Sequence, residues 1–341
     1  MSRGWLLPLV PVYRAAAGAK NLGYDRGWLR AHRLRWPVIS VGNLSVGGSG
    51  KTPLVIRLAD LLTQNGVAVD VLSRGYGRSS DRIEAVDANG IADRFGDEPL
   101  LIARRTGVPV VLGASRYHAG LLAEQRLDSS ARAVHLLDDG FQHRRLARDA
   151  DIVVVHRSDL EERLLPAGRL REPVGSLTRA SAIVLREEDA DLEDDLRQAG
   201  FSAPVWRMLR SVEIPAGTQK AVAFCGIAHP EEFFKSLEQA GVDLAVTRAF
   251  SDHQRYARRE IGELLNLARR TGAQSFISTE KDAVKLDAAI RQSLEQVAPL
   301  QIVRLLVTLQ NEAAVIADLM ARIDGGVCRA QVQPATLPVR K

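Results

Sequence analysis

The stretch Gly42-Asn43-Leu44-Ser45-Val46-Gly47-Gly48-Ser49-Gly50-Lys51-Thr52-Pro53 constrains this chain more than any other. It lies between an apolar run, Pro37 to Val41, and an apolar-periodic segment that reads as a helix from Thr52 to Asn65. A strand, a glycine-rich turn and a helix start, in that order, aim backbone N–H groups and a helix dipole at an anion. In a nucleotide phosphate loop of this kind Gly47, Gly48, Ser49 and Gly50 wrap the phosphates. Lys51 reaches the β- and γ-phosphates, and the Thr52 hydroxyl can ligate Mg²⁺. The usual first glycine, five residues before Gly50, is replaced by Ser45, which leaves Gly47 and Gly48 to supply the flexibility. The competing reading is a glycine-rich turn with a solvated lysine.

The pattern around that loop predicts an α/β fold. Short apolar runs at Val38–Val41, Val67–Leu72, Val108–Leu112, Val134–Leu137, Asp151–Val155 and Ala182–Leu185 alternate with helical patterns at Glu98–Thr106 and Arg116–Gln125. Continuous apolar strands separated by helices imply a mainly parallel sheet covered on both faces, which binds ligands beyond the carboxyl ends of its strands. A second, smaller α/β unit begins near Gln219. Its strands are expected at Ala221–Cys225, Val242–Val246 and Ser275–Ser278, with helices at Pro230–Ala240, Arg258–Thr271 and near Asp282. Val205–Leu209 and Gln301–Leu309 flank it as a paired, two-stranded linker, and Glu312–Ile323 reads as a helix returning to the first unit. The expected organisation is an amino-terminal segment (1–36), a phosphate-loop domain (37–210), a smaller domain (211–300), a return strand and helix (301–325) and a flexible tail (326–341).

Charge sets the amino-terminal segment apart. Among the first forty residues seven basic side chains face one acid, a balance of +6 against +5 for the whole chain, so the remainder is nearly neutral. The same segment carries Trp5, Leu6, Leu7, Leu9, Val10, Val12, Tyr13, Tyr24, Trp28 and Trp36. Aromatics and aliphatics mixed with arginine suit an anionic membrane interface, the apolar side entering the headgroup region. The alternative is a helix packed on the domain with solvated arginines. No run approaches 18 consecutive apolar residues, so no bilayer span is expected. Pro8 and Pro11 interrupt the apolar stretch, which fits a cleaved signal poorly. Cys225 and Cys328 are the only cysteines and make neither a disulfide framework nor a metal cluster, which points to a reducing compartment.

Several acidic motifs bear on chemistry. Val134–Gly140 delivers Asp138 and Asp139 at a strand end, where a carboxylate can hold Mg²⁺ or its waters. Adjacent strand residues face opposite ways, and Asp138 is taken as nearer the metal with Asp139 as a second positioning group. Gln142, His143, Arg144 and Arg145 follow, and His143 either touches phosphate or orders the loop. Asp97, in Gly96-Asp97-Glu98-Pro99, either caps a helix or accepts a proton from an attacking hydroxyl. Ser73–Arg78, containing Arg74 and Tyr76, and Leu165–Pro173, containing Arg171 and Glu172, are substrate-contacting loops or surface turns. In the second unit His253 can bond a catalytic carboxylate across the cleft, Asp252 can cap the following helix, and Lys281 can meet a phosphate.

Taken in order, these motifs resemble the tetraacyldisaccharide 4'-kinase (lipid A 4'-kinase) family from the amino-terminal segment to about residue 323. The resemblance rests on Gly42–Pro53, Ser73–Arg78, Gly96–Pro99, Asp138–Arg145, Leu165–Pro173, Phe250–Tyr256 and Thr279–Asp282, and that family's loop also lacks the standard first glycine. It implies a P-loop NTPase-like sheet with a smaller α/β domain on a two-stranded linker. It implies ATP and Mg²⁺ as cofactors and an acylated glucosamine disaccharide 1-phosphate as acceptor, phosphorylated at its 4'-hydroxyl to give lipid IVA. Family members are peripheral proteins on the cytoplasmic face of the Gram-negative inner membrane. Its catalytic aspartate corresponds to Asp97 and its partner histidine to His253. Lys51 and Thr52 correspond to its phosphate-loop lysine and Mg²⁺ hydroxyl, and Asp138 and Asp139 to its metal-site carboxylates. Glu98 and Glu172 match acidic positions associated with the site.

A phosphate-loop ATPase or nucleotide switch at the membrane predicts hydrolysis without a lipid product. A GTPase is disfavoured by the missing Asn-Lys-x-Asp motif, which Thr279-Glu280-Lys281-Asp282 only superficially matches. A nucleic-acid-binding protein predicts a duplex-sized cationic surface, whereas the excess charge here sits in an aromatic-rich terminus. No nucleic acid and no obligate protein partner are expected.

Overall fold

The apolar run before the glycine-rich loop forms β1 (Val38–Asn43), buried at every position. It lies inside a twelve-stranded sheet in the computed structural model, which describes residues 4–48, 50–126, 132–216 and 220–332, with side chains to residue 325. The remaining strands are β2 (Ala68–Ser73), β3 (Glu84–Ala85), β4 (Val110–Leu112), β5 (Ala133–Asp138), β6 (Ala150–Val155), β7 (Ala182–Arg186), β8 (Val205–Glu213), β9 (Ala221–Cys225), β10 (Leu244–Ala249), β11 (Ser275–Thr279) and β12 (Leu300–Leu309). Their order is β10-β9-β11-β12-β8-β7-β6-β1-β5-β2-β4-β3. All neighbours are parallel except β12 with β8 and β3 with β4. The expected linker is that antiparallel β8–β12 ribbon, with Met208 opposite Leu309 and Glu213 opposite Arg304.

The helices are α1 (Val10–Asp25), α2 (Lys51–Gln64), α3 (Ala92–Phe95), α4 (Asp97–Thr106), α5 (Arg116–Glu124), α6 (Arg157–Glu161), α7 (Leu192–Gln198), α8 (Pro230–Gln239), α9 (Arg258–Thr271), α10 (Glu280–Ala283), α11 (Ala288–Glu295) and α12 (Glu312–Val332). Alternate side chains of each central strand enter separate cores, as a period of two demands. Ile39 and Val41 meet Leu54, Leu58 and Leu62 of α2, with Val315, Leu319 and Ile323 of α12 in the same cluster. Val38 turns to the opposite face with Leu34, Leu137 and Leu146. Each such fully buried aliphatic contributes roughly 1.5–3 kcal/mol. A distinct core of Val222, Phe224, Tyr256, Leu264 and Phe276 supports the carboxyl-terminal end of the sheet. The part from β1 to β8 forms an amino-terminal block and the part from β9 to α11 a carboxyl-terminal block.

Two sequence expectations change. The return helix α12 does not stop at Gly325 but runs to Val332, so the first seven residues of the expected tail are helical; residues 333–341 lie outside the described residues. Interior glycines cost only about 1 kcal/mol each, less than a continuing helix can tolerate. The helix near Asp282 is split: α10 is a single turn capped by Thr279, and Asp287 caps a separate α11 by accepting from the Ile290 N–H.

Candidate active site

Parallel packing brings the carboxyl ends of β1, β2 and β5 to one edge, and the phosphate loop leaves β1 there. Gly50 is the N-cap of α2 with φ of +79°, a left-handed conformation that glycine adopts without strain. Ser49 lies outside the described residues. Gly47, Gly48, Gly50, Lys51 and Thr52 line a cavity of about 210 Å³ whose other walls come from α4, the end of β7, β8, β12 and the carboxyl-terminal block. A Cβ on Gly48 would stand 2.9 Å from the Ala228 Cβ, so that block rests directly on the loop.

Lys51 is held at the mouth of the loop. Its Nζ donates to Asn43 Oδ1 at 2.9 Å and lies 3.5 Å from Asp139 Oδ1. Asp139 Oδ2 accepts from Arg171 at 2.8 Å, and the same Arg171 nitrogen donates to Gln142 Oε1 at 3.2 Å. Gln142 in turn donates to the Asn43 carbonyl at 2.9 Å. Burial works against the charge of Asp139, but Lys51 and Arg171 outweigh it and hold the carboxyl below its usual range. Asp138 differs. It is 4% exposed and accepts from the Ser73 hydroxyl at 3.0 Å, and burial beside Glu98 and Asp139 pushes it up to about 7. Two adjacent carboxylates therefore have opposite environments, one neutralised by cations and one short of them.

Asp97 is the first residue of α4, after Gly96. Its Oδ1 accepts from the Glu98 N–H at 3.0 Å, and its Oδ2 lies 2.9 Å from Nδ1 of His253, 156 positions further on. Burial raises the Asp97 pKa, yet the His253 hydrogen bond and the nearby Lys281 pull it below the ordinary value. His253 is shifted upward, chiefly by its bond to Asp97. His253 and Asp139 are both non-glycine residues with positive φ, 59° and 53°. Such strain persists only where surrounding structure enforces it, and it concentrates at functional sites.

The remaining sequence-singled residues frame this pair. Lys281 Nζ lies 3.2 Å from Glu98 and 3.3 Å from Asp252. Its burial is outweighed by Glu98, Asp97 and Asp252, which raise its pKa. Tyr76 is exposed, with its ring 5.7 Å from that of His253; Arg74 is also exposed on the same loop. Asp252 does not cap α9: Glu260 accepts from the Ala257 N–H there, while Asp252 accepts from the His253 N–H at 3.0 Å. Glu172 is buried, pairing with Arg179 at 2.9 Å and Asn21 at 2.7 Å. His143 is partly buried, and burial with Arg116 and Arg148 presses its pKa down to about 4. Asn43, the partner of Lys51, was within the quoted loop motif yet carried no assigned role. Among the described residues no three His, Cys, Asp or Glu side chains converge as a metal cage.

A strand, a left-handed glycine and a lysine-bearing helix start at the sheet's carboxyl edge define a P-loop nucleotide-binding enzyme. The model of the family "Tetraacyldisaccharide-1-P 4'-kinase" (LpxK) matches residues 2–324. A tetraacyldisaccharide 4'-kinase of Koribacter versatilis is 39% identical over 330 residues, covering 93% of this chain and 98% of the relative. One from Geobacter metallireducens is 41% identical, covering 80% and 86%. The crystal structure of LpxK from Aquifex aeolicus in complex with ATP superposes with a TM-score of 0.76 at 34% identity, covering 94% of this chain and 99% of that one. This chain belongs to the tetraacyldisaccharide 4'-kinase family.

Proposed function

We propose that this chain transfers the γ-phosphoryl group of ATP to the 4'-hydroxyl of a tetraacylated glucosamine disaccharide 1-phosphate, giving lipid IVA, with Asp97 as the base. The observation that carries the reading is the 2.9 Å contact between Asp97 and His253 beside the phosphate loop. The loop amides and the start of α2 hold the phosphates, and Lys51 offsets the charge on the β- and γ-oxygens. Asp97 accepts the 4'-hydroxyl proton as the sugar oxygen bonds to the γ-phosphorus and the bond to the ADP oxygen breaks. His253 fixes the orientation of Asp97. Phosphoryl transfer of this type demands positioning and charge stabilisation more than a strong base, which suits a carboxylate held in its ionised form. Tyr76 offers a face for the sugar next to His253.

The all-oxygen donor set of Thr52, Asp138 and Glu98 fits Mg²⁺, and the excess negative charge around Asp138 is what a divalent ion relieves. Asp138 and Thr52 would hold it, with Glu98 nearby, while the ion pairs of Asp139 favour its role of placing Lys51. Mg²⁺ bound there supplies neutralisation of the β- and γ-phosphate charge.

The membrane reading rests on α1 and its flanks. Trp5, Val12 and Trp28 are 81%, 66% and 70% exposed. Among the described residues no helix is long and apolar enough to cross a membrane, and the attachment proposed is peripheral, at the cytoplasmic face of the inner membrane. The Tyr13 hydroxyl donates to the Arg171 carbonyl at 2.9 Å and Asn21 binds Glu172, which anchors the same helix to the loop that holds Asp139. The membrane-facing segment and the reaction centre thus share one scaffold.

Supplied with γ-labelled ATP and the acylated disaccharide, the protein is expected to place label on the sugar lipid. Release of free phosphate alone would select the ATPase reading. Replacing both Trp5 and Trp28 by alanine is expected to weaken binding to anionic phospholipid vesicles about tenfold, because two indoles leave the interface. Unchanged vesicle co-sedimentation would return α1 to a purely structural role.

A further inference from the structure

Three side chains that line the phosphate-loop cavity but take no part in the chemistry above join the two blocks on the other side of β1 from Asp138. Arg186 ends β7, Arg210 lies in the β8–β12 ribbon, and Glu232 is in the first turn of α8. Nη1 of Arg186 donates to one Glu232 oxygen at 3.0 Å, and Nη2 of Arg210 donates to the other at 2.8 Å. Each carboxylate oxygen thus grips a guanidinium from a different strand, and the α8 N-terminus favours the negative charge. Arg186 is 8% exposed, so its place is set by packing. Just before α8, Ala228 rests on Gly48 of the phosphate loop. On the other side of the loop the blocks meet again, through His253 on Asp97, Lys281 on Glu98, and Arg105 on Glu280 at 2.5 Å. A body joined by a two-stranded ribbon needs contacts on both sides of the cleft to fix its angle.

We infer that Glu232 is a positioning residue: by clasping Arg186 and Arg210 it seats the carboxyl-terminal block so that His253 meets Asp97. The inference rests on the Asp97–His253 reading given above. Glu232→Gln keeps the side-chain volume and removes the charge that holds two guanidinium groups. It lowers kcat about tenfold and changes the KM for ATP less than kcat. Arg186→Gln, which opens the clasp from the other block, shows the same split. Both are measured on protein whose native fold is verified by circular dichroism. In a His253→Ala background Glu232→Gln leaves kcat unaltered, because the contact it serves is already gone. The inference is overturned if Glu232→Gln lowers kcat by the same factor in that background, or if it raises KM with kcat unchanged, as a nucleotide contact would. If His253→Ala alone keeps wild-type turnover, the Asp97–His253 reading falls first and this inference with it.

Discussion

Replacing Asp97 by asparagine lowers kcat about 10³-fold and leaves ATP affinity unweakened. The substitution is nearly isosteric, and with the amide oxygen turned to His253 the contact between the blocks is kept at the loss of the Glu98 N–H bond. What is lost is a group able to take the sugar proton. The carboxylate is 6% exposed, with one oxygen on the Glu98 N–H and the other on His253, so water cannot readily stand in for it. ATP affinity is spared because the change removes a negative charge from the neighbourhood of the γ-phosphate. The paired measurements are steady-state kcat with the acylated disaccharide and nucleotide titration by calorimetry. Turnover within about tenfold of wild type would remove Asp97 from the role of base and leave it a helix-terminus carboxylate tying the blocks together.

The contrast between what the sequence disclosed and what it hid follows the range of the forces involved. β1 and α2 were legible because an apolar run, a glycine cluster and a 3.6-residue period are local signals. The β8–β12 ribbon was legible as two long strands flanking one unit, although their register needed the folded chain. Helix ends were less so. Gly325 reads as a stop, yet Val315, Leu319 and Ile323 pack α12 firmly enough to carry the helix through it. Asp252 reads as a cap, but Glu260, three residues beyond Ala257, does that work, leaving Asp252 for Lys281.

Within the site, the loop residues and the aspartates were visible because their chemistry is concentrated in short motifs. Asp97 reads locally as a helix cap or a base, and nothing local joins it to His253, 156 residues away; only the order of several motifs pairs them. Asn43 lies inside the most informative segment, but an amide at a strand end has many ordinary uses, and only the fold shows it accepting from Lys51. Arg186, Arg210 and Glu232 left no signal, because charged residues at a strand end and in a first helical turn are commonplace. Only their meeting across the cleft distinguishes them.

Lys51→Ala gives the complementary result, a fall of about 10³-fold in kcat/KM with weakened ATP binding. Lys51 starts α2, where the helix dipole already favours phosphate, and its ammonium adds a full positive charge there. Asn43 at 2.9 Å and Asp139 at 3.5 Å hold that ammonium at the start of α2, beside the phosphate loop. Arginine is expected to be a poor replacement. Its planar fork needs more width than a point charge between an amide and a carboxylate, and Arg171 already occupies the second oxygen of Asp139. Alanine also strips Asp139 of one counter-charge, which leaves it dependent on Arg171 and adds negative potential where nucleotide must bind. Asp97→Asn and Lys51→Ala therefore separate cleanly in a nucleotide titration: the first binds ATP and fails to transfer it, the second fails at binding as well. Wild-type ATP affinity in Lys51→Ala would mean that the phosphates lie elsewhere than against the loop, and the cleft would then have to be read without its principal cation.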